Sequence, residues 1–468
     1  MPRASLHAVM SPGTVELLSS LLRCPGCAAP LRATGADYVC SGCTTAYPVP
    51  GGLPWLAPDP ARSRAEWRQR LDAQLVELRE EGARLQRALA QPGVDGLARV
   101  RLDTQAQACV AHASRLAELL VPILGDGGGY PRELHAALGT PVPNRHGLQN
   151  YYANLHRDWC WGEQENALGL ELVREVLDGF RPRRVLVLGA GAGRLAFDLH
   201  VALEPELTVA LDLNPLLVEV ARRVYAGETV ELHEFPIAPK DVAAQAPLRR
   251  LQAPLQGRRA GLVALVGDAL RAPFAAGSFD LVVTPWLIDV LDVDVAVTAA
   301  RVNELLRGGG RWINSGPLAY SHPDPALHCT REEVAVRVAA AGFGAWRAEE
   351  RRIPYMCSPA SRHGRLETVL TFAAQKQDEA PGRRLPPAEP DWLSCSDLPV
   401  PALPEFQQAA LSMRVYGYLA TLVDGRRSLA ELAQVVVADR LMLAQDAEPA
   451  LRGFLRRLYE DSRRAWRP

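Results

Sequence analysis

Two short patterns in the chain can do chemistry. "CPGCAAPLRATGADYVCSGC" sets Cys24, Cys27, Cys40 and Cys43 as CxxC–x12–CxxC. Each CxxC can present two thiolates on a tight knuckle, and two knuckles close a tetrahedral four-sulfur site that suits zinc. Four protein ligands leave no open position, so such a zinc is structural. A redox role would need one CxxC beside a βαβ pattern, which is absent here. The second pattern is "VLVLGAGAGRLAFDL", residues 185–199, an apolar run that breaks at Gly189, Gly191 and Gly193 and resumes as a helix. Glycines there let a ligand approach the backbone, and the helix N-terminus favours negative charge. A dinucleotide fingerprint wants G-x-G-x-x-G. Here the third glycine comes one residue early and Arg194 follows it.

The elements that must position these groups can be read from periodicity. A chain of 468 residues with 48% apolar content is expected to hold more than one domain. Residues 20–58 read as the cysteine unit, and 62–160 as a mainly helical segment whose stretch 131–160 is irregular. The run "RAEWRQRLDAQLVELREEGARLQRAL" has helical spacing with a charged face. Over 161–376, after a helix at 163–180, buried strands alternate with helices: "RVLVLG", "LTVALDL", "GLVALVGD", "FDLVVTPW" and "GRWINSG". That alternation predicts an α/β fold, a Rossmann-like, doubly wound and mainly parallel sheet covered on both faces. Residues 377–404 are Pro-rich and read as a linker. Residues 405–468 form a small helical unit with a turn at Asp424-Gly425 and a helix N-cap at Ser428.

The G-x-G-x-G spacing resembles that of class I S-adenosylmethionine (SAM) methyltransferases, and the resemblance continues down the chain. Asp212 in "ALDLNP" ends the next strand, where in that family an acid accepts both ribose hydroxyls. Asp268 in "LVGDALRAPF" ends the third, where an acid meets the adenine amine. Taken singly, each acid can also be a strand-end cap. The tail "AYPVPGGLPWL" resembles Trm112-like zinc ribbons, which accompany methyltransferases; this covers residues 20–58.

Three further stretches, "NLHRDWCWGEQEN", "WLIDVLDVD" with "WINSGPLAYSH", and "RRIPYMCSPASRHGRLETVLTFAAQK", resemble the carnosine N-methyltransferase (N2227-like) family over residues 150–376. The resemblance implies that Asn154 and Arg157 touch the SAM carboxylate. It implies that Gly189, Gly191, Gly193 and Asp212 hold the methionine and ribose, and Asp268 the adenine. Trp286, where the fourth strand runs into the active-site loop, is assigned to the cofactor. Asp289, His322 and Tyr355 would hold the acceptor. Asn154 stands where the family has Gln and Asp212 where it has Glu; both keep the chemistry on a shorter arm. Either Ser321 or His322 takes the family's His position. Asp289 also has an ordinary alternative, capping a helix over 290–306, as Arg157 has a structural ion pair, His322 a surface loop, and Trp159 and Trp161 the core.

Methyl transfer needs alignment more than acid–base work. An imidazole acceptor must present a neutral nitrogen, and a carboxylate on its other N–H fixes the tautomer. The sequence therefore predicts a SAM-dependent N-methyltransferase with a structural zinc, acting on a small imidazole compound or a His-containing peptide. A net charge of −1 speaks against a nucleic-acid partner. An rRNA methyltransferase is one rival reading, because similar ribbons occur on rRNA enzymes; against it, "TPWL" stands where base methyltransferases carry an N-P-P-Y-like tetrad. A second rival is a non-catalytic scaffold that docks a partner through the ribbon. With no apolar run of ~18 residues and no clean signal peptide, the expected location is cytoplasmic, away from membranes. The C-terminal unit looks PqqD-like or winged-helix-like, and such modules bind a partner or dimerise.

Overall fold

The computed structural model describes residues 11–35, 37–126, 148, 151–255, 257–322, 324–381, 390–394 and 397–463. Of the stretch expected to be irregular, 131–160, the first part lies outside the described residues except for Leu148, as does the middle of the linker, whereas 152–160 is helical rather than irregular. The chain divides into two units, 1–383 and 384–467.

In the first unit, α1 (Pro12–Leu21) leads into a three-stranded antiparallel sheet of β1 (Leu31–Thr34), β2 (Asp37–Cys40) and β3 (Ala46–Pro48). Two long helices follow, α2 (Pro60–Leu89) and α3 (Gly96–Leu124), each opened by an aspartate, Asp59 and Asp95, whose side chain accepts a first-turn N–H. The short α4 (Tyr152–His156) runs into a single π-helical turn, Arg157–Trp161, and then α5 (Glu163–Leu177). Turns of this kind mark places where a helix is bent to aim side chains.

The large sheet has seven strands: β4 (Arg184–Leu188), β5 (Leu207–Asp212), β8 (Leu262–Val266), β9 (Phe279–Pro285), β10 (Leu306–Gly316), β11 (Phe343–Tyr355) and β12 (Arg365–Lys376). Their spatial order is β11-β12-β10-β9-β4-β5-β8. The five strands from β10 to β8 are parallel and β11 and β12 are antiparallel. Strands β4, β5, β8 and β9 are almost wholly buried. Both faces of the sheet are therefore covered, as continuous Val/Leu runs require. This is the expected Rossmann-like α/β fold. Helices α6 (Arg194–Leu203), α7 (Pro215–Tyr225), α8 (Val295–Leu305) and α9 (Arg331–Ala340) complete it, with a hairpin, β6 (Val230–His233) and β7 (Leu248–Leu251), between α7 and β8.

The cysteine unit is part of this body. Leu56 N–H donates to Val266 O (2.8 Å) and Val266 N–H to Pro54 O (3.1 Å), so the segment at Trp55 runs beside β8 as one further strand position. Arg23 N–H donates to Pro273 O (2.8 Å) and Ala275 N–H to Leu21 O (2.9 Å). Leu18, Leu22, Tyr38 and Tyr47 share one core with Leu188, Leu211 and Phe274.

The second unit consists, among its described residues, of helices and turns. The longer helices are α10 (Pro404–Thr421), α11 (Leu429–Ala438) and α12 (Ala444–Arg463), packed around Leu419, Leu432, Val436, Leu451 and Phe454. Ser428 caps α11 in a reciprocal capping box with Glu431.

Candidate functional site

The C-terminal ends of the parallel strands form the face where open α/β sheets bind ligands. At the end of β4, Gly189, Gly191 and Gly193 have φ of 65°, 57° and 89°. Two of them also answer to packing. A Cβ on Gly193 would lie 2.3 Å from the Tyr225 hydroxyl, and one on Gly189 would lie 2.7 Å from Leu287. A Cβ on Gly191 would meet nothing within 4 Å. Gly191 thus borders open space, the room a ligand needs. The loop is braced from behind by Tyr225 Oη donating to Gly193 O (2.7 Å) and Trp159 Nε1 donating to Ala192 O (2.7 Å). Trp159 is therefore a buried support of the loop.

Asp212 ends β5 and faces that loop. Its carboxylate accepts Gly191 N–H (2.8 Å) and Asn214 N–H (2.9 Å). Burial pushes its carboxyl up to about 6, against the opposing pull of those N–H groups. Asp268, past the end of β8, accepts Leu270 N–H (2.9 Å) and pairs with Arg271 (3.2 Å). It is held on the loop that the cysteine unit flanks at Val266 and Pro273.

The π turn closes over α6. Arg157 pairs with Asp158 (2.7 Å), and Asp158 also accepts Arg194 N–H (3.4 Å) at the start of α6. Burial opposes the Arg157 charge, but Asp158, Tyr355 and Glu165 outweigh it and hold the guanidinium protonated. The ion pair and the site location coexist for Arg157. Asn154 sits one turn earlier, half-buried on α4. The sequence reading left out Arg194, which is buried and pairs with Asp198 (2.9 Å) and Glu163 (3.0 Å). It also left out Asp158, Glu163 and Glu165. The signal for all three was the charge density of "RDWCWGEQEN".

On the other side of the sheet centre, Trp286 and Tyr355 stack with ring centroids 4.2 Å apart and planes at 21°. The guanidinium carbons of Arg157 and Arg365 lie 5.5 Å and 4.7 Å from the Tyr355 ring centroid. Trp286 thus belongs beside Tyr355 by its contacts. Gly316 makes room for it, since a Cβ there would lie 3.3 Å from Trp286 Cα. Asp289 is 5% exposed, and its carboxylate accepts Ala319 N–H (2.9 Å). Burial raises its pKa and the nearby Glu367 adds to this, against Ala319 N–H. It does not cap the following helix: α8 begins at Val295, not 290, and Asp294 caps it through Ala296 N–H (2.7 Å). His322 Nδ1 accepts Asp324 N–H (2.9 Å), and its Nε2 is 4.0 Å from Asp292. The ring is engaged with those two residues, while Asp289 is engaged across the loop with Ala319.

The four cysteines of the first pattern come together. Their sulfurs all lie within 4.8 Å of one another, with Cys24–Cys43 at 3.7 Å and Cys27–Cys40 at 3.4 Å. A tetrahedron with zinc–sulfur bonds near 2.3 Å has edges of ~3.8 Å, so the cage fits that ion. Backbone N–H groups of Cys27, Gly42 and Cys43 point at Sγ atoms, as thiolate ligands require. It is the one such cluster among the described residues.

Residues 186–313 match the family model of the methyltransferase domain. The chain carries a SAM-dependent methyltransferase domain. That match spans β4 through most of β10, and so contains the glycine loop, Asp212, Asp268 and Asp289. No curated protein matches the chain. Among solved structures, it is similar to a SAM-dependent methyltransferase of Thermotoga maritima, with 15% identity over 49% of this chain and 100% of that one (TM-score 0.30). It is similar to phosphoethanolamine N-methyltransferase 2 of Haemonchus contortus bound to SAM, with 13% identity over 50% and 59% (TM-score 0.33). A complex of the Haloferax volcanii Trm112 methyltransferase activator with a methyltransferase gives 16% identity over 46% and 96% (TM-score 0.31). Among the described residues no helix is long and apolar enough to cross a membrane.

Proposed function

We propose that this methyltransferase domain methylates a ring nitrogen of an imidazole-bearing metabolite or a His-containing peptide. One observation carries the reading. Asp289 is a buried carboxylate fixed by Ala319 N–H, on the strand-end loop that also presents the Trp286–Tyr355 stack. A flat acceptor that must offer a neutral nitrogen needs an aromatic wall and an acceptor for its opposite N–H. SAM, when bound, supplies the methyl on a sulfonium. In our reading Gly191 leaves room for it, Asp212 accepts the ribose hydroxyls, Asp268 faces the adenine, and Asn154 and Arg157 meet the carboxylate. Asp289 fixes the acceptor's tautomer and stabilises the positive charge that develops on the ring. Tyr355 and Trp286 orient the ring, and His322 stands on the adjacent loop after β10. Cys24, Cys27, Cys40 and Cys43 hold a structural zinc in a Trm112-like ribbon.

Incubation with methyl-labelled SAM and either β-alanyl-histidine or a fractionated cell extract tests this. Label is expected in an imidazole compound and in nuclease-resistant material. Label confined to nuclease-sensitive material would overturn the acceptor class in favour of RNA, and failure of SAM to raise the melting temperature would leave only a scaffold. Elemental analysis is expected to find about one zinc per chain, the stoichiometry of one four-thiolate site; a fully folded metal-free protein would remove the zinc.

A further inference from the structure

Glu165 lies in the first turn of α5, four residues past the π turn, and is 8% exposed. Its carboxylate is spent on another part of the chain. It accepts Met356 N–H (3.0 Å) and Cys357 N–H (2.9 Å), the two amides directly after Tyr355. Met356 has φ of 55°, a left-handed conformation that a residue with a side chain disfavours. Something must hold the turn, and two charge-assisted hydrogen bonds to one carboxylate do so. The turn in turn fixes where the Tyr355 ring goes, flat against Trp286. Glu165 also shares its segment with Arg157, whose guanidinium faces that same ring. The far part of the loop is anchored separately. Glu234 holds Ser358 and Arg249, and Arg362 N–H donates to Ala238 O (2.7 Å).

We propose that Glu165 is a positioning residue for the acceptor: it locks the turn after Tyr355 and thereby sets the Trp286–Tyr355 wall. This rests on the acceptor-site reading above. Because Arg362 and the Ser358 side chain have their own anchors, loss of Glu165 loosens the backbone over 355–358 and leaves the rest of the hairpin folded.

The test uses the full-length chain with Glu165→Gln, which keeps the shape but sets an amide NH2 against one of the two N–H groups. Amide exchange is expected to quicken at 355–358 and stay unchanged at 189–194, with SAM affinity by calorimetry within about twofold. With β-alanyl-histidine as acceptor, KM is expected to rise on the order of tenfold while kcat changes little, the signature of lost binding geometry. Met356→Gly in the Glu165→Gln background removes the need for the lock and is expected to restore part of KM. Unchanged exchange at 355–358, or a fall in kcat at constant KM, overturns the inference. If the wild-type protein does not methylate β-alanyl-histidine, the acceptor class fails instead, and exchange alone decides the role of Glu165. Release confined to 355–358 upholds it, and no release or chain-wide release overturns it. Should Glu165→Gln not fold, the comparison moves to Glu165→Asp, which draws the carboxylate back from the Met356 and Cys357 amides; exchange at 355–358 and KM both unchanged from wild type would then overturn the inference.

Discussion

The two ends of the proposed site take the same backbone conformation by different means. At the proposed cofactor end the left-handed positions are glycines: Gly189, Gly191 and Gly193. At the proposed acceptor end they are Trp286, Leu318 and Met356, with φ of 51°, 54° and 55°. Glycine takes this conformation freely, whereas other residues there cost roughly 1–3 kcal/mol each. The cofactor end is also tied down by main-chain bonds at Val266 and Pro273 and by Asp212 on Gly191. The acceptor end depends on side chains, with Asp289 on Ala319 and Glu165 on Met356 and Cys357. If the proposed roles hold, the difference separates a rigid cradle for an invariant cofactor from a wall that can be retuned by changing a few residues.

Substitution at the glycines should break the cofactor end outright. Gly191→Val puts a side chain into open space at a residue that is itself left-handed, so the protein should fold with a loss of roughly 1–3 kcal/mol while calorimetry finds SAM affinity lowered on the order of 10³-fold, the scale of a steric block. Gly193→Val should cost more stability, since its side chain also meets Tyr225. If both bind SAM normally, the glycines are not the cofactor site.

Asp289→Asn probes the other end. Methyl transfer to an imidazole acceptor should slow by on the order of 10²–10³, the scale for one well-placed electrostatic group. SAM affinity should stay near wild type. Loss of SAM binding with intact turnover at saturation would reverse the assignment of the two ends.

The next effect is one of pH. Asp212 has its folded pKa raised to about 6. Below that pH its carboxyl is protonated and loses an acceptor for the ribose, so SAM affinity should be full above pH 7. It should fall roughly tenfold for each unit below about 6. Folding responds with the opposite sign. A raised carboxyl holds its proton where the unfolded chain has released it, so Asp212 lowers stability as pH rises from about 4 to 6. A SAM affinity flat from pH 7 to 5 would contradict the role of Asp212.

The smallest expected change is in stability. Met356→Gly relieves a left-handed residue and should raise the unfolding free energy by up to ~1 kcal/mol in denaturant titration. A loss of stability there would mean that the Met356 side chain, not its backbone, matters.

What could be read from sequence follows the same division. Glycine is a visible signal for positive φ, so the G-x-G-x-G turn and the strand-end acids could be placed in advance, as could the cysteine cage from its spacing. Nothing in "TPWL" or "PYMC" reveals a left-handed Trp286 or Met356, because strain imposed by distant hydrogen bonds leaves no local trace. For the same reason the capping alternative for Asp289 was settled only by Asp294. His322, which the resemblance groups with Asp289 at the acceptor, is engaged with Asp292 and Asp324 by a loop whose path no periodicity predicts. The pairing of the Trp55 segment with β8 is a contact between residues about two hundred positions apart, beyond what local pattern reports.

That pairing matters for solubility as well as for binding. A sheet edge offers a row of unpaired N–H and C=O groups to any other chain. The β11 margin is guarded by charge, with Arg347, Glu349, Glu350, Arg351 and Arg352 along it. The β8 strand, "LVALV", carries no charge, and at its end Val266 is paired with residues 54–56. A chain cut back to the methyltransferase domain would keep every residue proposed to hold SAM and uncover the apolar end of β8 at Val266, an edge of the kind that seeds intermolecular strands. It should aggregate, and it should do so by adding copies of itself where the ribbon's tail used to be.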